Sequence, residues 1–183
     1  SDGTGCDFFV GIDVESGKLA ADFKDDDAGE NHPLIGKSVI QTGIWQHAAA
    51  TFDGTNWRLY LNGNLEAEGD TGNQAPSADP DRATSFGTAL NASGTPGGFF
   101  LGMLDEVRIW NRARTQDEIR GTMNQQVGAT ANLVSRHAMA ESSGTSLSDS
   151  SGGSVTGTLM NGVLRTQGAP FNLNVPPSIA ITS

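Results

Sequence analysis

The apolar and polar positions of this chain alternate in short bursts separated by turn-formers. In Leu19-Ala-Ala-Asp-Phe23, the residues Leu19, Ala21 and Phe23 share one face. From 46 to 52 the alternation continues, with Ala48, Ala50 and Phe52 on one side and His47, Ala49 and Thr51 on the other. Period-two alternation is the mark of a strand with one packed face. Asp53-Gly54-Thr55-Asn56 then reads as a turn. In Trp57-Arg58-Leu59-Tyr60-Leu61, the expected inward set is Trp57, Leu59 and Leu61, with Arg58 and Tyr60 outward. Asn62-Gly63 predicts a tight hairpin, because a type I′ turn needs positive φ at both central residues. Leu65 to Glu68 is the expected return strand.

Residues 70–98 are polar and rich in Gly, Pro, Asp and Ser, and read as a long loop holding a short strand near Ser85–Leu90. The apolar run from Phe99 to Trp110 predicts one long strand, with Val107 and Ile109 on one face and Glu106, Arg108 and Trp110 on the other. Thr115-Gln-Asp-Glu118 fits a capping box and opens a short helix carrying Ile119 and Met123 on one face. Gly128 and Thr130 are its expected stop. Beyond it, Leu133-Val134, Val155, Leu159-Met160, Val163-Leu164 and Phe171 supply apolar positions for further short strands. Val175-Pro-Pro177 reads as a stiff linker, and residues 178–183 as the first strand of a following domain.

Composition narrows the class. The 183 residues suit one good-sized domain, and 24 glycines fit many tight turns. Net charge is −10, so the basic groove that nucleic acid requires is missing. The same charge repels anionic membranes, and no apolar run is long enough to span a bilayer. Acidity suits a secreted or cell-surface protein, and clustered carboxylates suit hard cations such as Ca2+. Cys6 is the single cysteine, so no internal disulfide forms.

Three blocks carry a family resemblance: Gly43-Ile-Trp-Gln-His-Ala-Ala-Ala-Thr-Phe-Asp-Gly54, Trp57-Arg-Leu-Tyr-Leu-Asn-Gly63, and Gly102-Met-Leu-Asp-Glu-Val-Arg-Ile-Trp-Asn-Arg-Ala113. In that order and spacing, followed by the capped helix, they resemble the bacterial laminin-G-like, concanavalin A-like lectin/glucanase superfamily. The resemblance implies an all-β, antiparallel jelly-roll β-sandwich with one short edge helix. It also implies a non-catalytic module of a larger extracellular protein that binds glycans or other proteins. Residues 1–130 would be the laminin-G-like sandwich, with the family's opening strands, expected ahead of this block, missing from it. Residues 131–173 resemble such opening strands, with His137 where that motif often holds tryptophan; either they belong to a neighbouring repeat of a tandem array or, the reading favoured here, they complete the same sandwich. Residues 174–183 would lead to a neighbouring domain of the parent chain.

Asp105 falls in phase with Val107 and Ile109, so it is expected to be paired, hydrogen-bonded or metal-bound. The resemblance makes it the leading ligand for a structural Ca2+, with Glu141 or loop carbonyls as partners, against a plain hydrogen bond or arginine pair. The acidic loop Asp25-Asp26-Asp27 offers further oxygen ligands at Asp25 and Asp27, without EF-hand spacing, and a solvated turn is the plainer reading. Trp110 and Arg108 on one outward face, and Tyr60 and Arg58 on another, are the candidate ligand-binding residues; Trp57 falls in phase with the core. No catalytic residue is assigned. Glu66 and Glu68 form the Glu-x-Glu pair, expected on one face of the hairpin strand and simply solvated. Three functional readings follow: a glycan-binding or adhesion module, a structural spacer or protein-interaction domain in a repeat array, and, least favoured, a glycoside hydrolase or polysaccharide lyase.

Overall fold

A computed structural model describes residues 8–26, 29–77, 83–91 and 93–170. The described chain is all-β with antiparallel sheets and a single helix. It divides into two compact units, residues 1–101 with 113–123, and residues 102–112 with 124–183.

The first unit is built on two three-stranded sheets. One joins β1 (Phe8–Ile12), β2 (Lys18–Phe23) and β3 (Leu34–Val39); the other joins β4 (Ala48–Phe52), β5 (Asn56–Leu61) and β6 (Asn64–Asp70). Leu19, Ala21 and Phe23 of β2 meet Trp57, Leu59 and Leu61 of β5 to form the core, with Leu34, Ala50, Phe52 and Ala67 packed around it. The inward sets expected from alternation are therefore the core. Phe23 stands edge-on to Trp57 at 5.3 Å and tilted to Phe52 at 5.5 Å, geometries that suit the ring quadrupoles. Each such side chain contributes about 1.5–3 kcal/mol by leaving water. A minor ribbon pairs β7 (Ala89–Leu90) with β8 (Pro96–Gly97).

The hairpin between β5 and β6 turns on Asn62 (φ 49°) and Gly63 (φ 72°), the positive pair that a type I′ turn demands. Helix α1 (Gln116–Thr122) is closed at its start by Thr115 and Glu118, which satisfy each other's backbone amides as a capping box. The helix ends sooner than expected, with Met123 as its C-cap rather than at Gly128. It docks on the turn: Gln116 Nε2 and Arg120 Nε both donate to the Gly63 carbonyl, at 2.8 and 3.0 Å, and Arg120 donates to Asn64 Oδ1 at 2.9 Å. A Cβ on Gly63 would stand 2.5 Å from Arg120 Cγ. Gly63→Ala is therefore expected to cost about 2–3 kcal/mol, from left-handed strain and displaced arginine hydrogen bonds together, read as a lowered denaturant midpoint. A change under half a kcal/mol would mean the helix does not depend on that approach.

In the second unit, β9 (Val107–Trp110) pairs antiparallel with β10 (Leu133–His137), and β11 (Ser146–Leu147) pairs with β12 (Gly157–Thr158). The expected strand from Phe99 thus shrinks to its last four residues. Glu106 adopts φ 54°, which breaks the extended run, and Phe99, Leu101 and Met103 are left exposed. The tail does form strands, but its apolar positions divide: Leu133 is buried, whereas Val134, at a β-bulge, and Val155, Met160, Val163 and Leu164 are exposed. Phe171 and the 174–183 linker lie outside the described residues. Asp149 ties the following loop to β10, accepting the N–H of Arg136 at 3.0 Å and of Ser151 at 2.8 Å. Burial alone would raise its carboxyl, but the Ser151 hydroxyl and these amides hold it well below the usual carboxylate range.

Candidate functional site

The first unit contains a polar cleft of about 190 Å3 beside the hairpin turn. Four carboxamides line it, Gln41, Gln46, Asn62 and Asn64, together with Ser38 and Glu66. Val39 and Leu61 supply small apolar patches of wall. Local structure fixes the amides. Asn62 Oδ1 accepts the His47 N–H at 2.9 Å, and its own N–H donates to the His47 carbonyl at 2.7 Å, clamping the turn to the segment before β4. Gln46 Nε2 donates to the Gln41 carbonyl at 2.9 Å.

Glu66 occupies this cleft because β6 carries a bulge. Leu59 faces Ala67 and Tyr60 faces Leu65, so Glu66 is the extra residue between them and leaves the face of Glu68. The expectation that both glutamates are solvated fails here: Glu66 is only 7 % exposed. Its Oε2 accepts the N–H groups of Lys37 and Ser38, both at 2.7 Å, and its Oε1 accepts the Ser38 hydroxyl at 2.9 Å. Gly36 makes room, since a Cβ there would meet Glu66 Oε2 at 3.2 Å. Burial pushes this carboxyl up, but the hydrogen bonds from Ser38 and Lys37 outweigh it and leave it below the ordinary glutamate value. A depressed folded value means the stabilisation is fully present above the unfolded glutamate value of about 4.3 and fades as pH falls through the folded one. Stability measured from pH 6 down to pH 3 should therefore fall less steeply in Glu66→Gln than in the parent; parallel curves would show that Glu66 is not a source of the acid sensitivity.

The residues singled out from sequence fall elsewhere. Arg58 reaches Asp53 at 2.5 Å and Glu68 at 2.7 Å across the β5–β6 surface. Amides of Asn56 and Thr55 and the Arg58 guanidinium hold Asp53 at about 2, with the Asn56 bond the largest cause. Tyr60 is not outward: it sits on central β5 between Ala49 and Leu65, 5 % exposed, and offers no platform. Trp110 is half-buried opposite Leu133 on β10. Arg108 is not presented to a ligand either. Its guanidinium donates to Glu106 at 2.9 Å and to the Gln125 carbonyl, and Glu106 also binds Arg136, making a largely buried cluster.

The carboxylates expected to hold Ca2+ have protein partners. Asp105 accepts the Glu106 N–H at 2.9 Å and the Ala169 N–H at 2.7 Å, and burial pushes its carboxyl up. Glu141 accepts the Ser148 N–H at 2.6 Å and pairs with Arg165 at 3.0 Å. Asp25 is buried at 2 % exposure and bonded to the Gly29 N–H and His32 Nε2, both at 2.9 Å, with His32 stacked on Phe23. The solvated-turn reading is thus corrected at Asp25, while Asp27 lies outside the described residues. Among the described residues no group of three or more His, Cys, Asp or Glu could hold a metal ion. No described helix is long and apolar enough to cross a membrane.

Sequence reasoning missed the cleft. Gln41, Gln46 and Asn64 obey no apolar period, and Asn62 stood out only as a turn former.

The family described as the concanavalin A-like lectin/glucanases superfamily matches residues 1–120. Among solved structures, a proposed carbohydrate binding protein from Bacteroides ovatus matches with a TM-score of 0.61 at 22 % identity, over 87 % of this chain and 48 % of that one. An S-layer domain-containing protein from Clostridium thermocellum matches over 62 % of this chain and 60 % of its own, at 22 % identity and a TM-score of 0.37. The chain therefore spans about half the length of the Bacteroides structure, and at that identity the likeness is one of fold. No curated protein matches the chain.

Proposed function

Because the chain belongs to the concanavalin A-like lectin/glucanase superfamily, we propose that it is a non-catalytic carbohydrate-binding module of a larger extracellular protein. The observation that carries this reading is the cleft of carboxamides beside the β5–β6 turn. Carboxamides both donate and accept, which is what a hydroxyl-rich ligand needs, and convergent polar groups in a concave site are the usual signature of small-ligand recognition. The Bacteroides ovatus structure, with its proposed carbohydrate-binding role, agrees with the reading. Catalysis is not part of it. Glu66 is committed to three donors and Glu68 to Arg58, so neither member of the Glu-x-Glu pair stands ready to protonate a glycosidic oxygen.

Calorimetric titration against a panel of polysaccharides and oligosaccharides tests the proposal. Gln46→Ala should weaken any glycan bound by up to about tenfold, the worth of one lost hydrogen bond, while leaving the melting temperature within a degree or two. Glycan binding untouched by Gln46→Ala would move the site away from this cleft. A second reading, a protein-interaction or spacer domain, is favoured by the consecutive exposed apolar residues Phe99, Phe100 and Leu101 of the first unit, since exposed apolar side chains in a run mark interaction surfaces. A parent protein with similar domains on both sides, and silence across the glycan panel, would favour that reading.

A further inference from the structure

The cleft carries a statement about which sugars it takes, resting on the reading above. Among the described residues Glu66 is the one charged side chain that lines it; the nearby cations outside the lining are Lys37, whose charge acts on Glu66, and Arg120, which donates to Asn64 at 2.9 Å. The carboxylate sits where water is largely excluded, so its field is poorly screened in the cleft compared with that of a surface glutamate. Two backbone amides and a hydroxyl saturate much of it, and the remaining lone pairs accept only donors. A ligand hydroxyl satisfies them; a ligand carboxylate or sulfate cannot, and brings a like charge into the same recess. Building an unfavourable charge contact against the wrong ligand is a general route to specificity. Size adds a second constraint. At about 190 Å3 the cleft lies below the ~300–1,000 Å3 of sites that engulf drug-sized ligands, so it admits a single ring.

We infer that the cleft binds one uncharged sugar residue, and that Glu66 is the specificity determinant that excludes uronic and sulfated sugars. The carboxylate oxygens accept hydroxyl hydrogens from the ring, Gln41, Gln46 and Asn62 contribute amide contacts, and the rest of a polysaccharide remains outside in solvent.

The test compares ligands that differ in charge alone. NMR titration of the full chain uses glucose, glucuronamide and glucuronate, and the galactose series beside them, each at about 20 mM and about 300 mM salt. The neutral sugar and the uronamide of one series should bind alike, and the matching uronate at least tenfold more weakly. That ratio should hardly change with salt, because exposed charges elsewhere on this acidic chain act through solvent and are screened, whereas the buried carboxylate is not. Glu66→Gln should then narrow the gap between uronate and uronamide. The uronamide comparison stands on the native protein even where that variant does not fold. A uronate that binds as well as its amide overturns the inference and leaves glycan binding intact. A preference for the amide that vanishes at high salt also overturns it, assigning discrimination to the surface at large. Binding of no sugar, in these series or in the polysaccharide panel, overturns both this inference and the proposed function.

Discussion

Glu106→Gln should destabilise the protein by about 3–5 kcal/mol, the range expected when one partner of a buried charge cluster is removed and the others stay. The side chains of Glu106, Arg108 and Arg136 are 6 %, 9 % and 8 % exposed. Arg108 and Arg136 face each other across the β9–β10 ladder, and the Glu106 carboxylate lies between their guanidiniums. A glutamine has the shape but not the charge. It leaves two cations opposed and largely desolvated, and turns an amide N–H2 toward one of them. Asp105, the adjacent carboxylate, is already bonded to the amides of Glu106 and Ala169. Glu106 also holds a left-handed φ of 54°, a conformation that costs a non-glycine residue and persists only where contacts enforce it. Losing the carboxylate removes that enforcement. Urea unfolding followed by tryptophan fluorescence and circular dichroism measures the change. A loss below about 1 kcal/mol would show that the cluster is solvated and weak, like an ordinary surface pair.

The contrast between Glu106 and Glu66 shows where the sequence was legible. Alternation placed Leu19, Ala21, Phe23, Trp57, Leu59 and Leu61 correctly, because one face of each strand meets the opposing sheet and burial imposes a period of two. The Asn62-Gly63 turn and the Thr115–Glu118 box were legible because each depends on local backbone chemistry, within four residues. Glu66 was not legible. A single bulge shifts the count by one, turns it away from the face of Glu68, and delivers it to amides 28 and 29 positions earlier in the chain. Alternation has no term for such an insertion.

Arg108 and Tyr60 failed for a different reason. Both fall on the polar phase of their strands, and the phase rule takes the second face of a sheet as open to water. Tyr60 sits on the middle strand of three, and Arg108 faces a second arginine on β10, a strand that begins 25 positions later. The run from Phe99 misled through composition, since contiguous apolar residues resemble a buried strand whether or not a partner is present. The cleft was the least visible feature. Its amides come from the segment between β3 and β4, the β5–β6 turn and the first residue of β6, and no spacing along the chain links them.

Removing residues 131–183 should cost at least as much as Glu106→Gln, and is the decisive test of whether the tail belongs to the fold. Residues 102–113 carry one of the three blocks of the family resemblance, and the strand inside that block, β9, finds its described partner in β10 of the tail. Truncation leaves one side of β9 without hydrogen bonds, and an open edge is a template for aggregation. It also removes Arg136 from Glu106 and takes away the burial of Leu133, Ser135 and His137. A 53-residue piece without a disulfide is marginal as an independent domain, so its strands gain their stability from pairing with the rest of the unit. Taking about 3–5 kcal/mol for the ion cluster alone, the fragment 1–130 should melt on the order of 10 °C below the full chain, or fail to remain soluble. Differential scanning calorimetry of both proteins at equal concentration makes the comparison. A soluble fragment with an unchanged midpoint would show that β10 is a passenger on β9, and that residues 131–173 do not complete this fold.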